Sequence, residues 1–194
     1  MTFSYIRELG TSSLFLGTIA TDLCAAYGPS ILSGVIYLAG LPYIGDIQPK
    51  IGTTLVRQLV QGLTGSDVAL VSSSAIGFVE SVVVEPAKLQ FETKVAWLGC
   101  VALQPPSVRR YVIMRSQDPR RFLEEGTKQW PLLILHGTED LQIQGESLIR
   151  EMKAVFADCE EHLIPNAGHA VFWDQPERVR DEILGFVKRV SNSK

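Results

Sequence analysis

The sequence predicts a layered α/β fold built on a small parallel sheet, and three observations carry that prediction. Gly34-Val-Ile-Tyr-Leu-Ala-Gly40 and Pro131-Leu-Leu-Ile-Leu-His136 are short, continuous apolar runs, the pattern of strands covered on both faces. Glu161 to Ile164 reads as a third, short strand. Segments with helical spacing precede and follow each of them, and that alternation fits a parallel arrangement.

Residues 1–13 show no clear period. Leu16, Ile19, Ala20, Leu23 and Tyr27 then recur at helical spacing, and Gly28-Pro29 supplies a stop. The first strand follows. Residues 43–128 read as a series of short helices: Ile51 to Leu63, one or two within Ser66 to Val84, Pro86 to about Leu103, and Pro106 to Ser116. Val82-Val-Val84 stays open between helix and strand. A helical insertion of this length between two buried strands is expected to cap one end of the sheet, the other reading being plain coverage of a sheet face. Beyond the second strand, Gly145 to Phe156 is an amphipathic helix with Leu148, Met152, Val155 and Phe156 on one side. In the last helix Asp174 and Glu177 are spaced as a capping box, Pro176 occupies the first turn, and Val179, Ile183, Phe186, Val187 and Val190 form one stripe. The expected organisation is a partial α/β core at 1–42 and 129–194 with a helical cap insertion at 43–128.

Composition narrows the function classes. With 46% hydrophobic residues, 20% charged and a net charge of −3, the chain reads as a globular protein not suited to coating nucleic acid. Arg109, Arg110, Arg115, Arg120 and Arg121 cluster, but Asp118, Glu124 and Glu125 interleave, so a solvated helix face is expected. Cys24, Cys100 and Cys159 are odd in number and widely spaced, which suits buried free thiols in a reducing, cytoplasmic setting. Neither they nor the histidines are paired as zinc ligands usually are. Residues 11–41 are strongly apolar, yet Asp22 and Gly28-Pro29 interrupt them and Arg7 and Glu8 precede them. Buried core is therefore expected there in place of a membrane span or signal peptide.

Two motifs carry chemistry. The second strand ends in His136-Gly-Thr-Glu-Asp140, a Gly turn presenting a carboxylate, and the third ends in Asn166-Ala-Gly-His169, a Gly turn presenting an imidazole. In a parallel sheet the crevice at the C-terminal strand ends is where catalytic groups gather. A lone Asp there is usually a turn former and a lone His a structural residue. The two together suit a carboxylate that orients an imidazole for general-base work. Glu139 is the competing acid, and His136 and His162 read as structural.

These motifs, with Phe172-Trp-Asp-Gln-Pro-Glu177 opening the last helix, resemble the C-terminal half of an α/β-hydrolase-fold enzyme. The resemblance implies a three-layer α/β-hydrolase-like parallel sheet, Asp140 as triad acid, His169 as triad base, a cap lining the pocket, no cofactor, and hydrolysis of a small apolar ester or epoxide. The family's nucleophile sits in Gly-x-Ser-x-Gly. Aligning Gly17-Thr-Ile-Ala20 with the start of the following helix puts Leu14 at the nucleophile and Ser12 and Leu16 at the glycines. Aligning on Gly10-Thr-Ser12 instead makes Ser12, with Ser13 beside it, the candidate nucleophile. That shift of two residues rotates the helix by about 200°. The family's upstream strands and oxyanion loop have no counterpart in the short lead. The expectation is a truncated core whose first strand leaves an apolar edge open to self-association. A catalytically inactive, ligand- or partner-binding remnant is the alternative.

Overall fold

The computed structural model describes residues 16–128 and 130–192. Its strands are β1 (Val35–Leu38), β2 (Leu132–Gly137) and β3 (Cys159–Ile164), all parallel, in the order β1-β2-β3. Helix α1 (Leu16–Tyr27) precedes β1. Between β1 and β2 lie α2 (Gln48–Ile51), α3 (Thr54–Leu63), α4 (Val68–Glu80), α5 (Phe91–Ala102), α6 (Pro106–Met114) and α7 (Arg120–Thr127). Helix α8 (Gly145–Lys153) joins β2 to β3, and α9 (Val171–Asp174) and α10 (Pro176–Asn192) follow.

Strand β2 is the centre of the sheet and all six of its residues are buried. Because side chains alternate, Leu132 and Ile134 point to one face and Leu133 and Leu135 to the other. The first face packs with Val35 and Tyr37 against Ala20 and Cys24 of α1, Phe122 of α7, and Leu148 and Met152 of α8. The second packs against Val179, Phe186 and Val190 of α10. Each fully buried aliphatic side chain contributes about 1.5–3 kcal/mol, so a strand buried on both faces fixes the three-layer stack that the apolar runs predict. Strand β1 is less complete: Val35 and Tyr37 are buried while Ile36 and Leu38 are half-buried.

Local chemistry sets the helix boundaries. The expected helix from Ile51 is broken at Gly52-Thr53, where the Thr53 side chain caps α3 by accepting the Val56 amide at 3.1 Å. Asp67 caps α4 in the same way, on Leu70 N at 2.9 Å. Val82 to Val84 form a turn and no strand. Helix α7, absent from the predicted pattern, buries Phe122. In α1 the inward residues include Thr18, Ala20, Thr21 and Cys24, and Tyr27 is exposed. Thr21 is accommodated because its hydroxyl donates to Pro42 O at 3.0 Å.

The solvated arginine face holds for Arg110, Arg120 and Arg121, which are exposed. Arg115 pairs with Asp22. Arg109 departs from the expectation and is buried. Of the three free cysteines Cys24 is buried and Cys159 half-buried, but Cys100 is exposed, contrary to the expected burial. Among the described residues no helix is long and apolar enough to cross a membrane.

Helices α3, α4 and α5 form a separate cluster through Leu63, Ala75, Val79, Trp97 and Val101, and the same cluster takes in Ala170 from the loop after β3. The helical layer thus packs directly on the residue following His169.

Candidate active site

The loops after β2 and β3 are sewn together at the C-terminal edge of the sheet. Thr138 N donates to Ile164 O at 3.0 Å, and Glu139 N donates to Ala167 O at 2.9 Å. Only glycine permits this approach at position 137. A Cβ there would stand 2.1 Å from Ala167 O and 2.3 Å from Gly168 O. Asn166 makes the turn with φ of 54°, a left-handed conformation that asparagine tolerates.

The closure brings the two predicted side chains into contact. His169 Nδ1 lies 2.8 Å from Asp140 Oδ2, and both side chains are 1% exposed. Because a carboxylate only accepts, the hydrogen of this bond rests on Nδ1 and leaves the Nε2 lone pair free. Among the described residues Nε2 is buried with no hydrogen-bond partner. That is the state a general base requires.

Asp140 is held on both oxygens. Oδ1 accepts the amides of Gln142 at 2.7 Å and Ile143 at 3.1 Å. Oδ2 faces His169 and also stands 3.1 Å from His136 Nε2. Burial raises the Asp140 pKa, but His169 and His136 outweigh it, by their charge when protonated and by the hydrogens they turn toward Oδ2. Together they hold the carboxyl well below the usual range. The competing acid, Glu139, is exposed and takes a bond from Thr138 Oγ1 at 3.2 Å.

The helical layer closes on the His169 loop. Ala170 N donates to Val82 O at 2.6 Å, and a Cβ on Gly168 would be 3.1 Å from that same oxygen. Asp174 Oδ2 accepts Gly168 N at 2.7 Å and Val84 N at 3.3 Å. The expected capping box on Asp174 therefore does not form. Asp174 ends α9, α10 starts only at Pro176, and the carboxylate turns back to the His169 loop. Gln142 Nε2 bonds Ser81 Oγ at 2.8 Å and Phe78 O at 3.2 Å, tying the acid loop to α4.

Gln142 is a site residue that the sequence pattern does not single out, while that pattern reads His136 only as structural and Asp174 only as a helix cap. Asp174 and Gln142 act through partners about 60 to 90 positions away. The one available signal for Asp174 was its place five residues after His169, behind an apolar Val171-Phe-Trp run. Ser12, the candidate nucleophile, lies outside the described residues. Glu160, His162 and Glu182 place ligand atoms within 4.8 Å of one another and could surround a cation. Their carboxylates already pair with Arg189 at 3.2 Å and Arg178 at 2.6 Å.

No protein-family model matches the chain, and no curated protein matches it in sequence. Solved structures do match it in shape. An esterase from Rhodococcus sp. aligns with a TM-score of 0.77 at 21% identity, over 91% of this chain and 63% of that one. A bromoperoxidase from Bacillus anthracis aligns with a TM-score of 0.66 at 16% identity, over 87% of this chain and 62% of that one. The carboxylesterase CesB from Bacillus subtilis gives 0.62 at 18%, over 88% and 56%. This chain spans less than two thirds of the length of each. A parallel sheet between helical layers, an acid and a histidine on adjacent strand ends, and these matches agree: the chain has the α/β-hydrolase fold.

Proposed function

We propose that this chain carries the acid and base of an ester-hydrolysing site, with Asp140 as acid and His169 as base. The observation that supports this most is the buried 2.8 Å contact between His169 Nδ1 and Asp140 Oδ2, with Nε2 left without a partner. In the reaction Nε2 removes the proton of a nucleophilic hydroxyl as it attacks the ester carbonyl. Asp140 steadies the imidazolium that results, and His169 then returns the proton to the departing alkoxide. A carboxylate held this firmly in its charged form is suited to that role. Two of the structural neighbours are named as esterases, which agrees, while the bromoperoxidase shows that the fold alone does not dictate the chemistry. The substrate is a small apolar ester, with an epoxide as the alternative, admitted between the sheet edge and the helical insertion at 43–128, which acts as a cap. Ser12 is the nucleophile that the sequence offers.

The test is turnover of p-nitrophenyl acetate and butyrate by the full chain, together with labelling by a fluorophosphonate. The expected result is a label on Ser12 or Ser13 and a loss of about 10³-fold in turnover in His169→Ala. Folded protein that neither turns over nor labels would exclude a serine hydrolase. A second reading, a non-catalytic ligand- or partner-binding protein, draws on β1, an outer strand among the described residues with Ile36 and Leu38 only half-buried. It predicts concentration-dependent oligomers on size-exclusion chromatography and no turnover.

A further inference from the structure

His136 is fully buried on β2, and its imidazole sits beneath the loop that presents Asp140. Nε2 has two oxygens close to it: Ile143 O at 3.2 Å, to which it donates, and Asp140 Oδ2 at 3.1 Å. Both are acceptors, so the ring hydrogen belongs on Nε2, and Nδ1 is left buried with no partner. Gly145, at the start of α8, matches the ring: a Cβ there would come within 2.4 Å of His136 Cδ2. No larger residue at 145 leaves the imidazole where it is.

The ring closes a loop of contacts. Ile143 donates its amide to Asp140 Oδ1 and accepts the His136 hydrogen on its carbonyl, so one residue is gripped from both sides. Two amides fix Oδ1, but they leave the carboxylate plane free to swing about that oxygen. The positive Nε2 edge beside Oδ2 is the group that opposes the swing from below.

Building on the ester-hydrolase reading above, we infer that His136 is a positioning residue, whose Nε2–H clasps the Asp140–Ile143 turn and steadies Oδ2 toward His169 Nδ1. A buried histidine that only fills space would need neither the hydrogen on Nε2 nor the short approach to Oδ2. His136 touches no reacting atom and acts through Asp140.

The test reads the bond and needs no turnover. Proton NMR of the full chain should show a downfield His169 Nδ1–H resonance, assigned by its loss in His169→Gln. In His136→Phe, which keeps a ring but removes the donor, that proton should exchange with water about tenfold faster and move upfield, the effect of losing one supporting hydrogen bond. His136→Gln places an amide nitrogen near the position of Nε2 and should restore the resonance. His136→Asn reaches only as far as Nδ1 and should not. An unchanged resonance in His136→Phe, or equal behaviour of the Gln and Asn variants, overturns the inference while leaving the proposed function standing. If His136→Phe does not fold, the Gln and Asn pair decides. Absence of the resonance from the unaltered protein removes the Asp140–His169 bond itself, and both readings fall with it.

Discussion

The loop after β2 and the loop after β3 present Asp140 and His169 within one hydrogen bond of each other, yet they are held in place in different ways. Asp140 is fixed mainly by its own neighbourhood, since the Gln142 and Ile143 amides and the His136 imidazole all come from within four residues. His169 is fixed from a distance. Its flanking residues hang on Val82 O and, through Asp174, on Val84 N, both in the helical layer. Displacing that layer removes the supports of the His169 loop and the Gln142 and Thr53 ties of the acid loop, but leaves in place the Gln142 and Ile143 amides that hold Asp140 Oδ1. In a site built this way, the geometry of the base reports whether the helical layer is docked.

Asp140→Asn should break the acid side most deeply. It removes the charge that two imidazoles and two amides surround, and urea unfolding near pH 6 should show a loss of about 4 kcal/mol. The pH dependence follows from the sign of the shift. The folded carboxyl titrates below the unfolded value of about 3.9, so its contribution is complete above that pH and is lost as the pH falls through it toward the lower folded value. The gap between the native protein and Asp140→Asn should therefore close below about pH 4. A gap that is constant from pH 6 to pH 3 would show that the carboxylate's charge is not the stabilising element.

Gly137→Ala strikes the junction of the two loops. A methyl group 2.1 Å from Ala167 O forces them apart, with an expected loss of about 3 kcal/mol in the same assay. Asp174→Ala sharpens the contrast, since it deprives the Gly168 and Val84 amides of their acceptor while sparing the acid loop. About 2 kcal/mol and faster hydrogen exchange at Gly168, with protection kept at Gln142 and Ile143, are expected. Equal deprotection of both loops would mean that Asp174 supports the acid loop as much as the His169 loop. The smallest effect belongs to Thr53→Ala. Thr53 caps α3 and donates to Leu141 O at 2.6 Å, one of the acid loop's ties to the helical layer, and its loss should be worth about 1 kcal/mol.

Much of this was legible before folding. Uninterrupted apolar runs marked β1 and β2 because a strand covered on both faces has no polar side, and β2 is buried at every position. His136-Gly-Thr-Glu-Asp140 and Asn166-Ala-Gly-His169 were legible because Gly and Asn next to titratable residues betray turns at strand ends. Asp174 was misread because capping-box spacing is a local pattern, and nothing local shows that Gly168 and Val84 offer stronger partners. Arg109 was misread for a similar reason: among charged neighbours it looks solvated, and only the packing of α6 buries it.

By itself, then, the sequence determined the alternation of strands and helices, the turns at the strand ends and the two groups that meet, since period, glycine and proline act over a few residues. Tertiary structure decided which oxygen of Asp140 faces His169, that Gly137 is needed for close approach and not for its backbone angle, and that the helical layer holds the base. Those outcomes depend on atoms far apart in the chain arriving within about 3 Å of each other, a distance at which hydrogen bonds form and at which a single methyl group is too large.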